Sequence, residues 1–199
     1  MSNIPSLVSK EENEELMQYF SEQEIIDVIW SMKPDSADGF SIHFYRICWT
    51  VIRKDLLRMV KYFQAKAKVG GCTNSTFLAL IPKEANPSSF DRFRPISLCN
   101  ASYKIISKLL GIRLKPLLGK LISPLQGGFV KGIHILDNVI QVQEAMHSSF
   151  LRKEKGILIK LDMANSFDRV KHSFLFSVLH SFGFSSSFLN LIKTCINNP

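Results

Sequence analysis

The sequence predicts a helix-rich α+β chain, and three observations predict it. Most apolar positions recur at the i, i+3, i+4 spacing of amphipathic helices, bounded by capping residues and by Pro or Gly. Three short runs, Thr76 to Ile81, Arg94 to Leu98 and Ile157 to Leu161, are too short for helices and have strand composition. With 199 residues, 46% of them hydrophobic, the chain can also fill a sizeable core.

Residues 1–19 are polar and acidic and lead to a helix start. Ser21 with Glu24 three residues on is a capping box, and Phe20 with Ile25 is placed as its hydrophobic staple, so a helix should run over 22–32. Pro34 stops it, and 34–40 is turn-rich. From Ser41, Phe44, Ile47, Val51, Ile52, Leu56 and Val60 keep helical spacing up to Gly70-Gly71. Arg53, Lys54, Arg58, Lys61, Lys66 and Lys68 supply the opposite, basic face, which either follows a phosphate backbone or is a solvated stripe.

The run from Thr76 ends at Pro82 and is followed by Lys83; after a polar loop, Arg94 opens the second run. Paired as a hairpin, these runs hold two cations at the loop end, a spacing suited to phosphate, although cations at strand ends also serve solubility. Asn100 is placed to cap a helix carrying Ile105, Ile106, Leu109, Leu110 and Leu114, ended by Pro116 and Gly119. The 121–132 loop combines Pro, three Gly and Phe129, which suits backbone lying against another chain or a ligand. Leu136, Val139, Ile140, Gln143, Met146 and Phe150 trace one face of the next helix.

Gly156 then opens an apolar run that reads as a buried strand, with Leu158, Lys160 and Asp162 on one face. A carboxylate at the end of such a strand either opens to water, a metal or a cation, or caps the turn that leaves it. Asp168 follows six residues later. A helix from Ser173 should end at Gly183, and a last one should begin near Ser187 with Phe188, Leu191, Ile192 and Cys195.

Charge is distributed unevenly. Residues 1–38 carry nine acidic and two basic side chains, whereas the chain as a whole has a net charge of +8. A basic body behind an acidic leader suggests a polyanion partner, nucleic acid foremost. The four cysteines form no CxxC pair, which disfavours a zinc knuckle and a secreted disulfide scaffold, and the five histidines show neither HxH nor HExxH spacing and read as surface or packing residues. No apolar run spans a bilayer and no signal pattern opens the chain, so no membrane partner is expected and an intracellular location is.

Four landmarks occur in order: ALIPK (Ala79 to Lys83), FRPISL (Phe93 to Leu98), SPLQGGFVKG (Ser123 to Gly132) and KLDMANSFDRV (Lys160 to Val170). With them the sequence resembles the reverse transcriptase of LINE-type (non-LTR) retrotransposons over nearly its whole length. The resemblance implies a right-hand polymerase fold comprising fingers and an incomplete palm. The implied division is a helical extension over 1–75, fingers over 76–155 and the start of the palm over 156–199.

The implied activity is RNA-directed DNA polymerisation, with an RNA template, a DNA primer and a deoxynucleoside triphosphate as partners. The nucleus and the cytoplasm are both plausible sites for it. The cofactor would be Mg²⁺ in a two-metal site, held in part by Asp162 and the Met163 backbone carbonyl. Phe167 falls on the aromatic gate beneath the nucleotide sugar, and Asp168 on a structural hydrogen-bond acceptor. Lys83 and Arg94 match the fingers cations near the triphosphate, and Gln126, Phe129 and Gly132 match the template and nucleotide surroundings. Residues 169–199 contain no Asp or Glu, so the later palm carboxylate pair is missing from these 199 residues, as is the thumb. The chain alone is therefore expected not to polymerise. The other readings are a non-catalytic basic module that binds nucleic acid and a retrotransposon remnant without function.

Overall fold

The computed structural model describes residues 4–34, 39–71, 73–123, 126, 135–159, 161 and 169–197. In chain order its elements are α1 (Lys10–Met17), α2 (Glu22–Ser31), α3 (Ile42–Ile47), α4 (Trp49–Lys66), β1 (Thr76–Pro82), β2 (Phe93–Cys99), α5 (Ala101–Leu114), α6 (Leu118–Leu121), α7 (Ile135–Leu151), α8 (His172–Ser181) and α9 (Ser186–Asn197). Helices dominate, and the sheet among the described residues is the β1–β2 pair. The chain separates into two compact units, each built from distant parts of the sequence: Lys10–Leu114 with Phe184–Pro199, and Met1–Ser9 with Lys115–Gly183.

In the first unit the helical signals work as expected. Ser21 Oγ accepts from Glu24 N (3.1 Å) while Ser21 N donates to a Glu24 carboxylate oxygen (2.8 Å), completing the capping box. Phe20 and Ile25 are both buried. The fully buried large side chains come from α2 (Ile25, Val28, Ile29), α3 (Ile42), α4 (Val60, Phe63), α5 (Ile105, Ile106, Leu109) and α9 (Phe188, Leu191). Helix α2 packs on α3 and α5, and α1 on α9. Burying a side chain of this size is worth about 1.5–3 kcal/mol, so this cluster is the unit's main source of stability.

Two details depart from the sequence reading. The acidic leader contains a helix, α1. Its stability comes from tertiary contacts: Leu16 is buried, and Asn13 Oδ1 accepts from Ser185 N at 2.6 Å. The long helix expected from Ser41 is broken at Cys48 into α3 and α4. Arg46, in the last turn of α3, reaches the C-terminus of α2 and donates to the carbonyls of Ile29 (3.2 Å), Trp30 (3.0 Å) and Met32 (2.6 Å). The last carbonyls of a helix lack amide partners one turn on, so one planar guanidinium serves three carbonyls at and just past this helix end. Asn100 precedes α5, and its carbonyl accepts from Lys104 N at 3.0 Å; its side-chain amide also donates to the carbonyls of Thr73 (3.4 Å) and Ser75 (3.3 Å) and so ties the loop before β1 to the end of β2.

In the second unit, the N–H groups of Leu7 and Val8 both donate to Phe182 O, at 2.8 and 2.9 Å. Gly183 ends α8 with a φ of 95°, and a Cβ there would lie 2.5 Å from Ser6 Oγ and 2.9 Å from Val8 O, so only glycine fits. Helix α7 forms where its periodicity places it, but its apolar stripe is exposed, with Leu136 69% and Phe150 80% accessible.

The expected buried strand at Ile157 to Leu161 is corrected here. Residues 154–159 have no regular secondary structure, and Ile157, Leu158, Ile159 and Leu161 are all exposed. A strand is held by hydrogen bonds to a neighbour, and among the described residues β1 and β2 pair with each other and with nothing else. Strand composition without a partner strand leaves an extended, solvent-facing segment.

Candidate nucleotide-binding hairpin

Strands β1 and β2 run antiparallel in a register that pairs Thr76 with Cys99 and Pro82 with Phe93. Cross-strand partners share a face, so Arg94 stands beside Ile81 on the face that also carries Ala79 opposite Ile96 and Phe77 opposite Leu98. Lys83 N donates to Arg92 O at 2.8 Å, which adds a rung beyond the strands and sets Lys83 across from Arg92 at the loop end. The two cations expected at this end are therefore there, both exposed.

Their surroundings differ. Lys83 Nζ donates to Asp91 O at 2.7 Å, which turns it onto the loop. Arg92, which the sequence reading passed over, is paired with Glu84 (3.6 Å) and with Asp91 (3.6 Å). The signal for it was the Arg-x-Arg spacing of Arg92 and Arg94. The Asp91 carboxyl is held below the usual carboxylate range, chiefly by the hydroxyl of Ser89, which donates to it, with smaller help from Arg92 and Lys83. Both carboxylates thus pair with Arg92, and the Arg94 side chain has neither a hydrogen bond nor an ion pair among the described residues. The hairpin end therefore presents a guanidinium with all its donors available. Such a group binds phosphate oxygens in a planar, bidentate way.

Of the remaining sequence-derived site residues, Gln126 is exposed, and its backbone N–H donates to Ser123 O at 2.9 Å. Asp162, Met163, Phe167, Asp168, Phe129 and Gly132 lie outside the described residues. Among the described residues no group of three or more His, Cys, Asp or Glu could hold a metal ion, and no helix is long and apolar enough to cross a membrane.

Residues 81–198 match the family model of the reverse transcriptase (RNA-dependent DNA polymerase) domain, a stretch that includes Lys83, Arg94, Gln126 and Asp162. The chain is also 30% identical, over 162 residues, to the transposon TX1 uncharacterized 149 kDa protein of Xenopus laevis. That alignment covers 81% of this chain and 12% of the relative, so the chain spans a small part of the length of the protein it matches. The family model covers more than half of the chain, and with the four landmarks in order this protein belongs to the reverse transcriptase family, in its LINE-type, non-LTR branch.

Proposed function

We propose that the chain forms the fingers and the first part of the palm of an RNA-directed DNA polymerase, transferring nucleotides from a deoxynucleoside triphosphate to a primer 3′-hydroxyl on an RNA template. The observation that carries this reading is the unpartnered Arg94 guanidinium at the loop end of a hairpin within the family match. Arg94 grips the phosphates of the incoming nucleotide, and Lys83 adds charge beside them after leaving the Asp91 carbonyl. The helical extension is 1–75, the fingers 76–155 and the palm begins at 156.

Asp162 and the Met163 carbonyl are the residues that would hold a divalent metal ion, an all-oxygen donor pair suited to Mg²⁺. When bound, such ions lower the pKa of the attacking hydroxyl and neutralise charge on the triphosphate. Phe167 would serve as the aromatic gate that excludes a ribose 2′-hydroxyl, and Asp168 as the motif's structural hydrogen-bond acceptor. Gln126, Phe129 and Gly132 border the template and the nucleotide.

Equilibrium titration of the purified chain with a fluorescent deoxynucleoside triphosphate tests the phosphate grip. Arg94→Ala should weaken binding at least tenfold, about the loss of one charge-assisted hydrogen bond, and Lys83→Ala less. Equal binding by wild type and Arg94→Ala would remove the basis of this reading. In a primer-extension assay with Mg²⁺, the 199 residues alone should give no product, because they supply one motif carboxylate of the set that the family's chemistry uses. The net charge of +8 favours a second reading, a non-catalytic nucleic-acid-binding module. In that case RNA binding would fall steeply with salt and be indifferent to Asp162→Ala.

A further inference from the structure

The β1–β2 hairpin has two outer edges, and they are not alike. Lys83 N donates to Arg92 O, so by the alternation of an antiparallel ladder the odd-numbered residues of β1 turn their backbone groups toward β2. Thr76, Leu78, Leu80 and Pro82 then point theirs outward, and no strand lies beyond them among the described residues. On β2 the same alternation turns Pro95, the partner of Leu80, outward. Proline has no N–H, so the β2 edge is interrupted in its middle, next to the charge of Arg94. Strand β1 carries no charged side chain, and its proline stands at the last position. Edges of that kind take up a further strand unless something guards them.

The side chains along β1 say which strand fits. Phe77 and Leu78 are each 68% accessible, and Leu80 and Ile81 are exposed as well. The strand reads Thr76-Phe77-Leu78-Ala79-Leu80-Ile81-Pro82, which is nearly symmetric in character about Ala79. Laid antiparallel against itself on a twofold axis at Ala79, Leu78 falls opposite Leu80 of the second copy and Phe77 opposite Ile81, each pair sharing a face. Leu78 and Leu80 are also the residues whose backbone groups point outward, so they exchange N–H···O bonds with their counterparts while Ala79 meets itself in a non-hydrogen-bonded pair. At the ends Thr76 N–H reaches the Pro82 carbonyl, and the missing proline N–H costs one bond on each side. No charge faces a like charge in this register, because the two Lys83 side chains stand at opposite ends of it.

We propose that β1 is a dimerisation edge: two copies of the chain pair β1 to β1 and form a four-stranded antiparallel sheet in the order β2–β1–β1–β2. Both outer edges of that sheet are β2, whose central proline stops further addition, so association closes at two. A strand edge buries less than the roughly 1,200–2,000 Å² of a standard interface, which puts the dimer in the reversible, micromolar class. Each chain has a net charge of +8, which opposes association, so salt strengthens the dimer by screening that repulsion.

Sedimentation velocity of the purified chain over micromolar concentrations tests the edge. Wild type should move from monomer toward dimer as concentration rises, and further at higher salt. Leu80→Pro deletes an outward N–H and none that faces β2, so it should weaken association about tenfold or more, whereas Leu80→Ala keeps the N–H and should weaken it less. Circular dichroism melts of each variant check that the helices persist. Ala79→Cys gives a readout that does not depend on how Leu80→Pro folds. Non-hydrogen-bonded antiparallel partners lie about 4.5 Å apart at Cα, within reach of a disulfide. In oxidised glutathione, Ala79→Cys should yield a disulfide-linked dimer on a non-reducing gel well ahead of wild type and of Ser97→Cys, an exposed position on β2. A wild-type chain that stays monomeric across the range, undiminished dimer in a folded Leu80→Pro, or linkage no faster at 79 than at 97 would each overturn the proposal.

Discussion

Arg113 shows how much of this architecture rests on single side chains. Its guanidinium is paired with both carboxylate oxygens of Glu24 (3.1 and 3.2 Å) and donates to the carbonyls of Leu16 (3.1 Å), Gln18 and Tyr19 (3.2 Å). It also lies 3.9 Å over the Phe20 ring. One residue of α5 thereby closes the C-terminus of α1 and braces the capping box of α2. Arg113→Ala would strip donors from three carbonyls and a carboxylate at once, and should cost about 2–4 kcal/mol in urea denaturation. Arg113→Lys should recover only part of that, because a point charge cannot reproduce the planar fork. A second residue-scale effect concerns alkali. Burial pushes the Tyr103 phenol up from 10.0 to about 12, with the nearby Cys195 and Cys99 adding to the shift, and pushes the Cys195 thiol up from 9.0 to about 11. Between the unfolded and folded values the native state binds more protons, so stability falls as pH rises. The contribution of both groups is complete below pH 9 and is lost between about 9 and 12. Urea midpoints measured across that range should fall, and Tyr103→Phe should remove the upper part of the decline.

At the scale of elements, what was legible in the sequence depended on whether an element is held by its own residues. The capping box at Ser21 and the glycine stop at Gly183 are local, and both ends lie where the pattern puts them. The β1–β2 hairpin was legible for the same reason, since its register follows from the two runs and their loop, and this brings Lys83 and Arg94 to one end. Helix α1 was not, because Asn13, Leu16 and Arg113 find their partners far along the chain. The run at Ile157 to Leu161 failed in the opposite sense: its composition is that of a strand, but composition cannot supply the neighbour that makes a strand. Arg92 was missed because its pairing with Glu84 depends on how the loop folds back. Gly183 offers the clearest test at this scale. Gly183→Ala forces a side chain into a positive φ and against Ser6 and Val8. It should destabilise the protein by about 2 kcal/mol or more, read as a lowered midpoint of denaturation.

The molecule as a whole is unevenly consolidated. Most of its described buried apolar side chains belong to the unit formed by Lys10–Leu114 and Phe184–Pro199. In the other unit the described residues contribute Val8 and Leu117 to that set, while α7 and the segment after it expose their apolar positions. Local stability follows buried contact, so the two units should open with different free energies. Amide hydrogen exchange followed by mass spectrometry reads this directly. Peptides from α2, α4 and α5 should exchange slowly and together, at the rate set by unfolding of their shared core. Peptides from α7 and from 154–159 should exchange orders of magnitude faster, because their hydrogen bonds are shielded by little apolar mass or are absent. Uniformly slow exchange across both units would mean that α7 is covered in solution and that the apolar stripe along it is part of a closed core.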